Sequence, residues 1–208
     1  MRSLRISLVV FLVAHAGVSF SHDYWPTSAD YTYYYENDAG FEVVLEMRGG
    51  VLKRTYQSLW YTCSSSHWFE FAQDHLAISR EEAVCALGPV PIPTGFNYSS
   101  SMLVLAASIE VGQSWSSSST ATDYYGNEAQ ATLAGESLSI EHVVVPAGDF
   151  DVVVVELDPG SMYLPAGLYY LSKGVGPVIL PGGYKLTAIG GTVSSESRTW
   201  GALKALWR

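Results

Sequence analysis

From residue 31 onward the chain alternates short apolar, β-branched and aromatic runs with clusters of Gly, Pro, Asp and Asn. The runs occupy 31–35, 41–47, 51–62, 68–71, 102–105, 139–145, 152–157, 167–171, 178–180 and 184–189. Between them stand Asn37-Asp38-Ala39-Gly40, Gly49-Gly50, Pro146-Ala147-Gly148, Asp158-Pro159-Gly160 and Pro181-Gly182-Gly183. Short strands bounded by turn residues every eight to twelve positions predict an all-β fold with an antiparallel, curved sheet or half-open barrel. Strands alternating with long helices are missing, which excludes a parallel α/β layout. Gly49-Gly50 reads as a two-residue hairpin, and Pro146 with Gly148 as a structural turn between two valine-rich strands. Those valine runs, 143–145 and 152–155, lack polar alternation and predict burial on both faces. Gly174-Val175-Gly176 precedes Pro177 and another β run, so Gly174 and Gly176 are read as turn residues rather than a phosphate loop.

One helix is expected, near 79–87, where Ser79 and Glu82 fit a capping box and Gly88-Pro89 stops the run. The proline-rich stretch 89–98 reads as an extended crossing segment, because Pro has no N–H for a central strand. Ser114 to Thr122, Ser- and Thr-rich around Trp115, suits an exposed strand or a loop.

The first 21 residues follow another logic. Arg2 and Arg5 precede the apolar run 6–13 and the small residues Ala14-His15-Ala16, the order of a secretory signal peptide cut after residue 16 or 21. The stretch is too short to span a bilayer, so the mature chain is expected to carry no transmembrane segment and to be periplasmic, cell-surface or extracellular. Residues 22–191 then form the β domain, and 192–208 a Ser/Thr-rich linker with a basic, aromatic tail. In an oxidising compartment Cys63 and Cys85 are expected to form a disulfide. A metal site from Cys63, His67, Glu70 and His75 is the lesser alternative, since their spacing matches no zinc pattern.

The 208 residues are 48% hydrophobic and 13% aromatic, which supports a packed core. Their net charge of −9 excludes binding to nucleic-acid phosphates through a basic patch. Removal of Arg2 and Arg5 makes the domain more acidic still. The tail reverses that sign, setting Arg198, Lys204 and Arg208 against Glu196. Leu203, Leu206 and Trp207 would share a helical face, so the tail is expected to dock on its own domain, touch a membrane surface or engage export machinery.

Four elements recur in order: Tyr24-Trp25-Pro26, Val111-Gly112-Gln113-Ser114-Trp115, Val143-Val144-Val145-Pro146-Ala147-Gly148-Asp149-Phe150, and Gly174-Val175-Gly176-Pro177-Val178. With these the chain resembles a group of exported bacterial domains of unknown function related to the periplasmic lipoprotein-carrier fold. The resemblance implies a curved sheet or half-open barrel with an apolar inner face and no established catalytic residues.

No nucleophile elbow, zinc-protease helix or Walker sequence occurs, and neither a cofactor nor a metal is expected. The leading functional expectation is an exported, non-enzymatic domain that binds an apolar ligand or an envelope component. A carbohydrate- or surface-binding module is the alternative, with Tyr31, Tyr33, Tyr35, Trp68 and Trp115 as candidate ligand-binding aromatics. An extracytoplasmic hydrolase comes third. Strand carboxylates such as Glu42 and Glu46 read as solvated outer-face charges.

Overall fold

The computed structural model describes residues 24–25, 30–57, 62–71, 75–87, 90–106, 108–160 and 163–191. The expected signal peptide and tail lie outside them. Twelve antiparallel strands form a closed barrel: β1 (Tyr31–Glu36), β2 (Glu42–Arg48), β3 (Val51–Gln57), β4 (Thr62–Phe71), β5 (Leu76–Leu87), β6 (Val90–Leu105), β7 (Ser114–Asp123), β8 (Glu128–Val145), β9 (Gly148–Asp158), β10 (Gly167–Ser172), β11 (Gly176–Leu180) and β12 (Tyr184–Gly191). Each strand pairs with its neighbour in sequence, and β1 pairs with β12 to close the ring. The expected all-β, antiparallel, barrel-like fold is present, closed rather than half-open, which leaves no free first or last strand.

Alternation sets the two surfaces. Along β2, Val43, Leu45 and Met47 are buried while Glu42 and Arg48 are exposed. Along β8, Ala131, Leu133, Gly135 and Ser137 are buried between exposed Gln130, Thr132, Ala134 and Glu136. Apolar inside and polar outside is the reverse of a membrane-spanning barrel, whose outer band is apolar.

The predicted helix near 79–87 is instead part of β5. That strand pairs along its length with β4 and β6, and its burial has period two, with Glu81 and Ala83 inside and Val84 outside. Pairing on both sides outweighs a local capping pattern, because it satisfies more backbone groups than two helical turns would. The register also sets Cys63 directly opposite Cys85, and the two are disulfide-bonded, 22 positions apart.

The proline-rich segment is likewise strand, the first part of β6. It is tolerated because β6 meets β7 only from Phe96 to Tyr98, so Pro91 and Pro93 lie where a ladder runs on one side alone. Beyond Tyr98 the β6–β7 seam is held by serine hydroxyls. Ser119 Oγ accepts from Ser100 N–H at 2.9 Å and Ser117 Oγ accepts from Leu103 N–H at 2.8 Å. The Ser/Thr-rich run is therefore β7, and its serines stand in for missing backbone rungs.

Gly49 and Gly50, both at positive φ, form the β2–β3 turn. Pro146 and Ala147 turn β8 into β9, with Gly148 at φ +142°, and residues 173–175 turn β10 into β11, with Gly174 within the turn and Gly176 just after it also at positive φ.

Candidate functional site

Alternation carries a set of polar side chains into the interior on β3 to β6. Ser65 and His67 lie two apart on β4 and face inward, beside Arg54 and Leu52 of β3 and opposite Ala83 and Glu81 of β5. His67 and Glu81 are fully buried, at 0% exposure each. Glu81 Oε2 meets His67 Nδ1 at 2.8 Å, and His67 Nε2 meets Ser65 Oγ at 3.0 Å. Tyr98 of β6 donates its hydroxyl to Glu81 Oε1, and the Tyr163 N–H donates to Glu81 Oε2 at 3.1 Å. One carboxylate thus ties together β4, β5, β6 and the β9–β10 connection. Burial and the Glu81 charge both push the Tyr98 phenol well above its ordinary value, so it stays a donor.

Beside His67 lies a chamber walled by Trp25, Leu45, Leu52, Leu164, Pro165, Tyr169 and Leu180. Arg54 also lines it, and its Nε is buried without a hydrogen-bond partner among the described residues. Trp25 is wedged between aromatic rings, 5.5 Å from Phe69 and 6.3 Å from Tyr169, centroid to centroid. The cavity measures about 20 Å³, room for one water.

Ser65, His67 and Glu81 have the hydrogen-bond order of a Ser–His–carboxylate relay. Acyl transfer also needs a space about 3 Å from the nucleophile where a carbonyl can sit. The chamber is lined by His67 and not by Ser65, and at its present volume it admits no acyl group. The arrangement as it stands is a satisfied buried polar network.

The aromatic candidates do not form a platform. Tyr33, Tyr35 and Trp115 are buried in the core. The Tyr33 hydroxyl donates to Val175 O and the Tyr35 hydroxyl to Pro177 O, each at 2.8 Å, and Trp115 Nε1–H donates to Val104 O at 3.0 Å. Tyr31 is half-buried with its ring 6.0 Å from Tyr33, and Trp68 carries the Arg80 guanidinium 4.6 Å from its centroid. The exposed member of the tyrosine run is Tyr34, on the other face. Alternation places 31, 33 and 35 together as expected, but toward the core.

Cys63, His67, Glu70 and His75 are not brought together as a metal site. Cys63 is spent in the disulfide, His67 points inward to Glu81, and Glu70 is exposed.

Sequence reasoning missed Arg54, Ser65, Glu81 and Tyr98. The signal for Ser65 was the inward parity of a polar stretch, Cys63 to Phe69, and Arg54 and Glu81 follow only once the strand pairing sets them opposite Ser65 and His67. No family model, curated protein or solved structure matches this chain.

Proposed function

We propose that this protein is an exported, non-enzymatic barrel of the cell envelope or extracellular space, and that it works by binding a slender apolar molecule ending in an anionic group. The observation that carries the reading is Arg54. A guanidinium that lies 5.8 Å from the Tyr56 ring centroid, and whose Nε has no hydrogen-bond partner among the described residues, faces a chamber with otherwise mostly apolar walls, the combination that orients an acid-headed hydrocarbon. The chamber must widen to admit one. Trp25, Leu164 and Pro165 come from segments outside the strand ladder, so those walls can shift without breaking a strand. Export is supported by the disulfide, which persists in oxidising compartments, and by the basic and apolar order of residues 1–21. The likeness to the lipoprotein-carrier group rests on its four sequence elements alone.

Titration with laurate, followed by native mass spectrometry and calorimetry, tests this. One-to-one binding is expected, weakened at least ~10-fold in a folded Arg54→Met variant, since a charge-assisted hydrogen bond contributes about 1.5–3 kcal/mol. Absence of any fatty-acid adduct, or equal affinity in the variant, rejects the ligand class. Ester hydrolysis abolished by Ser65→Ala rejects the non-enzymatic reading.

A further inference from the structure

β8 outruns its neighbour. β7 accompanies it only to the Ser114–Glu136 pair, and the last bonds on that side join Ser137 to Gly112 and Gln113. β9 continues alongside to Val145–Gly148. From Ser139 to Val145, then, β8 is paired on one side only among the described residues.

The hairpin register says which groups face the open side. A two-residue turn makes Val145–Gly148 the hydrogen-bonded closing pair, and bonded pairs then alternate. Val143 and Glu141 bond to β9, so the N–H and C=O groups of Ile140, His142 and Val144 aim outward. The His142–Asp151 pair fits this parity: it is a non-bonded pair, in which side chains approach more closely, and His142 Nδ1 lies 2.9 Å from Asp151 Oδ1. The same residues carry a bare face. Ile140 and Val144 are 70% and 71% exposed, while Val145, Phe150 and Val152 on the other face are buried. An open edge bearing exposed β-branched residues invites strand addition.

We propose that this edge receives the chain's own C-terminal segment, 192–208, as an added strand. Position and length allow it. β12 ends at Gly191 at the same end of the barrel as the β8–β9 turn, and the Ala147 N–H donates to Leu186 O at 3.1 Å, five residues before that end. The seventeen residues that follow reach on the order of 55 Å when extended. Charge selects the same occupant: the segment holds Arg198, Lys204 and Arg208 against one acid, and the hairpin exposes Glu141, Asp149 and Asp151. Period two completes the match. With Leu203, Ala205 and Trp207 laid on the face of Ile140 and Val144, Lys204 and Arg208, with Leu206 between them, fall on the face of Glu141, within the reach of cross-strand and diagonal pairs, while Asp149 and Asp151, opposite Val144 and His142, lie on the other face and act only through the local field.

Residue-resolved hydrogen exchange on the full chain tests this. The Ile140 and Val144 amides are expected to exchange at least ~10-fold more slowly than open-edge amides, independent of protein concentration. Lys204→Glu with Arg208→Glu should abolish that protection, while Glu141 and Val143, bonded to β9, stay protected and report an intact hairpin. His142→Pro, which removes an outward N–H and no rung to β9, should do the same. Free exchange at Ile140 and Val144, or protection unchanged by the charge reversal, overturns the proposal. Protection lost on dilution overturns it in favour of a second copy as occupant.

Discussion

The barrel has two unlike halves. From β8 round through β12 to β2 the interior is mostly aliphatic and aromatic, Ser137 being among the exceptions: Leu133, Val153, Val155, Leu157, Leu171, Val178, Leu186, Val43 and Leu45 are all buried. Among the hydrogen bonds there are phenol hydroxyls that reach carbonyls from otherwise apolar side chains, Tyr33 to Val175 and Tyr35 to Pro177. From β3 to β7 the interior carries Arg54, Ser65, His67, Glu81, Tyr98 and Ser119, and a disulfide cross-links the adjacent strands β4 and β5. The first half is held by area, which is non-directional and lost gradually. The second is held by mutual satisfaction, in which the partners of Glu81, His67, Ser65 and Tyr98 make their burial tolerable, Arg54 Nε being the exception. The same fold therefore fails differently on its two sides.

Alkali should load the apolar half more heavily, with three raised phenols against Tyr98 alone in the polar half. Burial is the main cause that raises the phenol pKa of Tyr33, Tyr35 and Tyr169 above the ordinary 10. With the folded value raised, the native state keeps protons that the unfolded chain releases, so stability is intact below about pH 10 and falls as pH rises beyond it. Each phenol contributes up to about 1.4 kcal/mol per pH unit, about 4 kcal/mol for the three. Urea melts between pH 7 and 12 should show this slope, with Tyr98 of the polar half adding to it, and the total reduced by about a quarter in Tyr35→Phe. A midpoint that stays flat to pH 12 would show that these phenols are not sealed from water.

A strong test of the polar half is Glu81→Leu. It strands His67, the Tyr98 hydroxyl and the Tyr163 N–H at once, and a cost of about 3–5 kcal/mol is expected. The double variant Glu81→Leu with His67→Leu should recover part of that loss, because fewer orphaned groups remain. If the single change costs under about 1 kcal/mol, the network is not what holds β3 to β6 together.

The two halves also differed in how much the sequence disclosed. Val152 to Val155 and Val143 to Val145 announced strands, and the turns at Gly49-Gly50 and Pro146-Ala147 lie where their residue types direct them. The cysteine pair was equally legible, since two cysteines in a chain expected to reach an oxidising compartment leave one pairing, and the register sets them opposite each other. The polar half resisted. Ser79 to Leu87 satisfied a capping box, and nothing local says that Glu81 has a histidine waiting on β4. The same parity argument that grouped Tyr31, Tyr33 and Tyr35 left open which face was the core. That depended on ring closure, a property of β1 meeting β12 some 150 residues away, Tyr33 against Ile189. The run from Ser114 to Thr122 reads equally as an exposed strand or a loop, because hydroxyls serving as ladder rungs have no composition signature distinct from exposed ones.

Where the halves join, Trp115 of β7 lies directly opposite Gly135 of β8. The ring covers that glycine: a Cβ placed on Gly135 would stand 2.6 Å from the indole Nε1. This glycine is required by space and not by backbone conformation, since its φ is not positive. The indole has little freedom to withdraw, because its N–H is committed to Val104 O on β6. Gly135→Ala must therefore either break that hydrogen bond or part β7 from β8, and about 1–3 kcal/mol of destabilisation is expected. Trp115→Phe, smaller and without the N–H, should be costly alone yet partly rescue Gly135→Ala, an interaction measurable as a double-mutant cycle by urea melts. Additive costs would show that the ring does not rest on Gly135. A coupling of the expected sign would place the joint between the halves at one aromatic ring that takes its seat from the apolar side and its hydrogen bond from the other.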